Sequence, residues 1–382
     1  MPRKKRIGVV FGGRSAEHEV SLVSAASVIA ALDKEKYEVV PIGISPTGRW
    51  LSTADALMLL KEKRDIEGIP EHVLAPDPHH QALIAVPSSS SFSPIDRLRS
   101  ARSKPLDVIF PLVHGTYGED GTIQGLFELA DVPYVGAGVL GSALGMDKAV
   151  QKALLSEAGI PVARSLWFTL DQYRENSKRL IAACERIRYP LFVKPANGGS
   201  SIGITKAHSR RELGTAIRFA GAYDAKILVE ECIRDAREIE CGVLGNEYPE
   251  ASLPGEIIPS NEFYDYDAKY VDGKSTAVVP AALPGSVVKT IQRHAVRAFK
   301  VLECSGMARV DFLVTRKSSR IYLNEINTIP GFTPISMFPK MWEASGVPYA
   351  KLLDRLIDLA FERHGKKRAM KTHYTPKSDW YR

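Results

Sequence analysis

Two short apolar segments late in the chain, residues 309–314 and 321–327, constrain the fold more than any other feature. In an extended strand successive side chains point to opposite faces, so residues two apart share a face. Arg309 and Asp311 therefore point one way, while Val310, Phe312 and Val314 pack the other way. Glu325 and Asn327 likewise share a face of the second segment, and the polar stretch 316–320 between the two reads as a turn. Closing this hairpin gathers two carboxylates, an amide oxygen and a guanidinium in one small space. Three hard oxygen ligands suit Mg²⁺, which fills its remaining positions with waters and phosphate oxygens, and Arg309 suits a developing anion. A purely structural salt-bridge hairpin is the competing reading. Four aligned polar residues on otherwise apolar strands favour a site.

The rest of the chain supplies the frame. Its 382 residues exceed one typical domain and predict two or three. Residues 6–13 (RIGVVFGG) read as a buried parallel strand closed by glycines. Helical periodicity over 15–32 and a second strand over 37–44 complete an opening β-α-β unit. Residues 60–104 have weak periodicity, several prolines and a serine run, and are read as an irregular insertion. A strand over 106–113 follows, and the first domain is expected to span 1–146. Beyond it the texture becomes α+β. Strands are expected over 191–194, 227–231, 239–244, 307–314 and 321–327, and helices over 148–158, 210–220, 287–302 and 349–364. The expected division is a central subdomain at 147–245, a C-terminal one at 246–364 and a basic tail at 365–382.

Charge and cysteines exclude some classes. The net charge of +7 could suggest nucleic acid. Four basic residues at 3–6 and a balance of +5 over 366–382 account for it, leaving −2 for the body. These are solvated basic ends, and no nucleic-acid partner is expected. No apolar run approaches the roughly 18 residues of a membrane span, and the basic start is a poor signal peptide. Neither a membrane partner nor a secreted location is expected. Cys184, Cys232, Cys241 and Cys304 show no C-x-x-C or zinc spacing and suit a reducing cytoplasm.

Three further motifs bear on chemistry. Gly136-Ala-Gly138-Val-Leu-Gly141 matches G-x-G-x-x-G, and Glu157 lies at about the distance of a ribose-binding acid. It therefore raises a dehydrogenase as a rival. The motif comes too late, after a complete β-α-β unit, and leaves the polar clusters downstream unexplained. Residues 194–203 (KPANGGSSIG) follow an apolar strand, so small residues with free N–H groups could close over phosphate oxygens beside Lys194. A flexible hairpin loop is the bland alternative. Glu230 and Glu231 end the apolar strand 227–231 and could face an adenine and ribose, although a solvent-facing strand end explains them equally well.

Taken together, residues 194–203, Glu230 to Ile233, Arg309 with Asp311, and Glu325-Ile-Asn327-Thr-Ile-Pro-Gly331 resemble the ATP-grasp fold. Residues 12–21 (GGRSAEHEVS), 114–121 (HGTYGEDG), Met146-Asp-Lys148, 263–270 (FYDYDAKY) and 330–337 (PGFTPISM) narrow the resemblance to the D-alanine–D-alanine ligases, over about residues 6–364. It implies a Rossmann-like N-terminal pre-ATP-grasp domain followed by a two-lobed ATP-grasp domain, an α/β and α+β architecture. It also implies ATP, two Mg²⁺ ions (Mn²⁺ able to stand in), two D-alanine molecules as substrates and a homodimer.

The roles the resemblance implies run residue by residue. Lys148 and Lys194 meet ATP phosphates, with Ser200, Ser201 and Lys269 also on the nucleotide. Glu230, the backbone near Ile233, and Glu238 hold adenine and ribose, with Glu231 also at the nucleotide. Asp311, Glu325 and Asn327 hold the metals. Glu17 holds the first D-alanine ammonium, with His114 beside it, and Ser336 and Met337 receive the second carboxylate. Arg309 and the Gly331 N–H are the oxyanion donors. Ser200 and Tyr270 link to Glu17 and close the site, beneath a loop around 256–273. Ligases of the same fold that take D-lactate or D-serine second are the nearest rival, and a relic that only binds nucleotide is a further one.

Overall fold

The computed structural model describes residues 3–69, 71–86, 104–258, 276–333 and 335–375. The first unit runs β1 (Lys5–Gly12), α1 (His18–Ala31), β2 (Tyr37–Ile44), β3 (Trp50–Leu51), α2 (Ala56–Lys61), β4 (Glu71–Leu74), β5 (Leu83–Val86), β6 (Val108–Pro111), α3 (Thr122–Leu129) and α4 (Val139–Met146). Its sheet has the order β5-β4-β3-β2-β1-β6, with β2 and β6 parallel to β1 on either side. The expected β-α-β unit is present. The stretch read as irregular is partly ordered, since β4 and β5 form a hairpin that extends the sheet. Weak alternation hides it, because β4 and β5 are only partly buried on both faces.

The second unit contains α5 (Lys148–Glu157), β7 (Ser165–Thr169), α6 (Leu170–Glu185), β8 (Leu191–Pro195), β9 (Thr205–Ala207), α7 (Arg210–Ala220) and β10 (Lys226–Glu231). Its antiparallel sheet, ordered β7-β10-β8-β9, buries one face against α6 and α7. The third unit has β11 (Ala236–Gly245), β12 (Glu250–Ala251), β13 (Gly255–Ile258), β14 (Thr276–Val278), α8 (Gly285–Val301), β15 (Gly306–Thr315), β16 (Ile321–Asn327), α9 (Met337–Ala344) and α10 (Tyr349–Arg368). Its sheet is ordered β14-β13-β11-β15-β16, with β12 also on β11. The central subdomain expected from the sequence runs to 245, and β11 lies at that end of it. β11 pairs along its whole length with β15, from Ala236↔Thr315 to Gly245↔Gly306, so hydrogen bonding assigns it to the third sheet.

The first and third units share a core. Ile7, Val9, Phe11 and Phe110 pack in one cluster with Phe332, Phe338, Leu352, Leu353 and Leu356. α10 is also tied to the first unit at both ends. Asp354 accepts from Tyr37 Oη and Lys36 Nζ, each at 2.8 Å. Further along, His364 Nε2 is 2.9 Å from Asp131 Oδ1, and Arg363 donates to Tyr134 O at 3.1 Å. Lys366, Lys367 and Arg368, expected in the basic tail, form the last turn of this helix, where cations meet the negative end of its dipole. Lys367 pairs with Glu128. Among the described residues no helix is long and apolar enough to cross a membrane.

Leu356 is fully buried in this shared cluster, so Leu356→Ala is expected to cost about 2–5 kcal/mol of stability. Urea unfolding checks it, and a loss below about 1 kcal/mol would show that α10 is not part of that core.

Candidate active site

One cleft of about 1730 Å³ lies where the three units meet, and it is lined from all of them. Its floor is the β15–β16 hairpin. Arg309 pairs with Asn327, Val310 with Ile326 and Asp311 with Glu325, after which the register shifts. The shift makes Phe312 the partner of Leu323 and leaves Asn324 as the extra residue of a bulge. Without the bulge Leu323 and Ile326, three residues apart, could not both face the core. With it they do, and Glu325 and Asn327 stand on the cleft side beside Arg309 and Asp311.

Arg309 grips Asp311 with two bonds, Nε to Oδ1 at 2.7 Å and an η nitrogen to Oδ2 at 2.6 Å, and its Nε lies 3.2 Å from Glu240 Oε2. Burial alone would pull its pKa down, but Asp311 and Glu240 hold it well above the usual arginine range. It remains a cation in a largely buried place. Asn327 Nδ2 donates to Asp311 Oδ2 at 3.3 Å, which turns the amide oxygen of Asn327 away from Asp311. The donor set of Asp311, Glu325 and Asn327, all on the cleft side, is two carboxylates and an amide oxygen, the chemistry that Mg²⁺ or Mn²⁺ takes.

Across the cleft stand two lysines. Lys148 opens α5, whose first turn is capped by Asp147 accepting from Ala149 and Val150 N–H. Its ammonium donates to Gly198 O at 2.6 Å and stands 3.4 Å from Glu325 Oε2. Lys194, on β8, pairs with Glu230 Oε1 on the neighbouring β10, and Lys152 approaches Glu230 Oε2 at 3.0 Å. Burial would raise the Glu230 carboxyl, but Lys152 and Lys194 outweigh it and hold it down at about 2. Burial likewise pulls against the charge on Lys194, and Glu230 and Glu325 keep its pKa raised. Glu231, Ile233 and Glu238 line the cleft beyond. The Glu231 carboxylate is engaged by Arg164 through a backbone N–H at 2.9 Å and the guanidinium Nε at 2.8 Å.

At the other end Glu17, just before α1, accepts from Ser200 Oγ. Gly199 passes so close that an added Cβ would lie 2.2 Å from Glu17 Oε2, so a side chain there would have to push the Glu17 carboxylate out of its place. Ser200 and Ser201 both adopt the left-handed region, at φ 50° and 59°, a conformation held by surrounding structure. His114 lines the cleft, yet both ring nitrogens are already engaged. Nδ1 is 3.0 Å from Ile329 O and so carries the proton, and Nε2 is 3.2 Å from Ser24 Oγ and accepts. Burial lowers its pKa, so the ring is neutral. The expected contact of His114 with the first amino acid is therefore one of neighbourhood, not of a free hydrogen-bonding nitrogen. Gly331, Ser336 and Met337 complete this end, with Ser336 Oγ accepting from Thr333 N–H at 3.0 Å.

Every expected site residue within the described chain lines this cleft. Lys269 and Tyr270, with the loop expected to close over the site, lie mostly in residues 259–275, outside the described residues. Three groups escaped the sequence reading, two of them buried (Lys152 and Glu240) and one half-buried (Glu119). Lys152 lies four residues after Lys148 and so on the same helical face, a spacing that could have revealed it. Glu240 follows Glu238 by one strand period. Glu119 sits in the quoted 114–121 motif, where it accepts from Gly115 N–H and Ile329 N–H; burial and the neighbouring Glu17 push it up to about 8. The glycine motif at 136–141 serves packing, since a Cβ on Gly141 would stand 2.4 Å from Glu303 O and none of its glycines lines the cleft. That removes the dehydrogenase.

Comparison with known proteins agrees with this geometry. Residues 6–137 match the family model described as "D-ala D-ala ligase N-terminus", and residues 154–358 match "D-ala D-ala ligase C-terminus". The chain is 50% identical over 366 residues to a D-alanine–D-alanine ligase of Thermoanaerobacter sp. (strain X514), covering 95% of this chain and 98% of that one. It is 49% identical over 368 residues to one from Ruminiclostridium cellulolyticum, covering 94% and 96%. Among solved structures it resembles the D-alanine-D-alanine ligase from Coxiella burnetii (TM-score 0.79, 39% identity, 96% and 97% covered). It also resembles the VanG D-Ala:D-Ser ligase from Enterococcus faecalis (TM-score 0.81, 37% identity, 94% and 100% covered).

The depressed Glu230 carboxyl carries a sign. Its folded pKa of about 2 lies below the ordinary 4.5, so it contributes stability that is present above pH 4.5 and lost as pH falls through 2. The difference in urea midpoint between the parent protein and Glu230→Gln is therefore expected to narrow between those two pH values. A constant difference would mean that Glu230 is not held ionised.

Proposed function

The chain belongs to the D-alanine–D-alanine ligase family, and from that premise we propose how its own residues join two D-alanine molecules at the expense of ATP, giving D-alanyl-D-alanine, ADP and phosphate. The observation that carries the reading is the row Arg309, Asp311, Glu325 and Asn327 facing Lys148 and Lys194 across one cleft, with Glu17 at its end. A nucleotide-only relic would have no need of the Glu17 end.

A free carboxylate is too poor an electrophile for an amine, so ligation proceeds through phosphorylation of the first D-alanine carboxylate. Lys148 and Lys194 neutralise the phosphate oxygens, and the small residues from Gly198 to Ser201 bring backbone N–H groups close to them. Asp311, Glu325 and Asn327 would hold divalent metal, which when bound supplies further neutralisation of the transferring phosphoryl group. Glu17, held by Ser200, anchors the ammonium of the first D-alanine. Glu230, Ile233 and Glu238 receive adenine and ribose, and the Ser336 and Met337 turn receives the second carboxylate.

The amine of the second D-alanine then adds to the acyl phosphate carbonyl, and phosphate leaves from the tetrahedral adduct. Arg309 and the Gly331 N–H stabilise the oxyanion. Arg309 suits this because Asp311 and Glu240 fix its guanidinium before the charge develops. Water must be kept away, since it would hydrolyse the acyl phosphate. The product serves peptidoglycan precursor synthesis in the cytoplasm, and a homodimer formed through the first domain belongs to the same reading.

A phosphate-release assay with D-alanine, D-serine and D-lactate tests the reading: release is expected with D-alanine alone, and stimulation only by D-lactate or D-serine alongside D-alanine would overturn the assignment of the second substrate. Losing one oxyanion donor costs about 2.7–4 kcal/mol of barrier, so Arg309→Ala is expected to lower turnover by roughly 10²–10³. A near-normal rate for it would remove Arg309 from the mechanism.

A further inference from the structure

The turn carrying Gly331 is held from outside the third unit at several points. Ile329 uses both its backbone groups on one loop of the first unit. Its N–H donates to Glu119 Oε1 at 3.1 Å, and its C=O accepts from His114 Nδ1 at 3.0 Å. Glu119 is itself anchored there, its Oε2 accepting from Gly115 N–H at 2.7 Å. On the far side of Gly331, Phe332 N–H donates to Ser24 Oγ at 3.4 Å, and from within the third unit Tyr349 Oη donates to Phe332 O at 2.8 Å. Between Ile329 and Gly331 stands Pro330, whose ring fixes φ and so passes on the orientation set at Ile329. Among the described residues nothing accepts from the Gly331 N–H, although its neighbours on both sides are bonded. The turn is thus held through the backbone groups of Ile329 and Phe332, on either side of the Gly331 donor at the cleft.

We propose that Glu119 is a positioning residue of the ligation: by binding the Ile329 N–H it fixes residues 329–331 so that the Gly331 N–H meets the oxyanion of the tetrahedral adduct. The clamp also places that donor and Glu17 in one frame, because the loop 114–119 packs beside Glu17. The amine end and the oxyanion end of the substrate pair are thereby held at fixed separation although they come from different sheets. The inference rests on the ligase reading above and adds to it a residue that does not touch the reacting atoms.

Glu119→Gln tests it. The amide keeps the shape but presents an N–H where one of the two backbone donors needs an acceptor. Misplacing a catalytic donor by about 1 Å costs roughly 10²-fold, so kcat is expected to fall by about that factor while KM for ATP stays within about twofold. A phosphinate dipeptide that mimics the tetrahedral adduct should lose affinity by the same factor as kcat, because both report transition-state binding. A merely structural role would instead weaken nucleotide binding and lower the analogue's affinity and kcat by unrelated amounts. An unchanged kcat in folded Glu119→Gln overturns the proposal, and so does a loss of kcat with unchanged analogue affinity. Should Glu119→Gln not fold, Glu119→Asp, which keeps the carboxyl group and shortens the reach, is read the same way. A parent protein inert towards D-alanine would sink the ligase reading itself; an active parent with an equally active Glu119→Gln sinks only the role of Glu119.

Discussion

The register of β15 against β16 is the constraint on which the rest of the cleft depends. Pairing Arg309 with Asn327 and Asp311 with Glu325 puts four polar side chains on one side of a hairpin whose other side is core. Slipping β16 by one residue against β15 would turn Glu325 and Asn327 into the core and expose Leu323 and Ile326. The apolar side therefore fixes the polar side. The bulge at Asn324 reconciles two demands, since it returns Leu323 to the core after Ile326 without moving Glu325 off the cleft.

The charges gathered in this way are costly to bury, and the structure balances them inside the cleft. Lys152 and Lys194 flank Glu230, while Asp311 and Glu240 flank Arg309. Each group stays ionised because its partners outweigh the loss of hydration. The consequence is electrostatic preorganisation: positive charge held by fixed partners already faces the cleft, so an anion entering it would meet charge that needs little reorientation. Glu119 stands apart as the acid that burial and Glu17 push upward, which is the pattern expected where two carboxylates are forced near each other.

A cleft assembled from three units works only if the units are held in register. The shared core does this on a large scale, with Phe332 and Phe338 packed among Phe110 and the strands of the first sheet. The bonds from His114, Glu119 and Ser24 to the turn around Gly331 do it locally. The last helix adds a strap, bonded to Tyr37 near its start and to Asp131 near its end.

The sequence by itself determined the elements and most of the chemistry. Alternation over 309–314, helical spacing over 148–158 and the apolar strand ending at Glu231 were all legible because period and residue type are local properties. So was the cleft-facing set Asp311, Glu325 and Asn327, since two strands and one turn suffice to align it. Only the tertiary structure decided what depends on contacts between distant segments. It moved β11 into the third sheet, found a hairpin in the stretch read as irregular, and made the basic segment from Lys366 the end of a docked helix. It also bound both nitrogens of His114, engaged Glu231 with Arg164 and brought Glu119 against Ile329, residues 210 apart in the chain. No local pattern encodes such pairings, because a buried acid or imidazole takes whatever donor or acceptor the packing brings within reach.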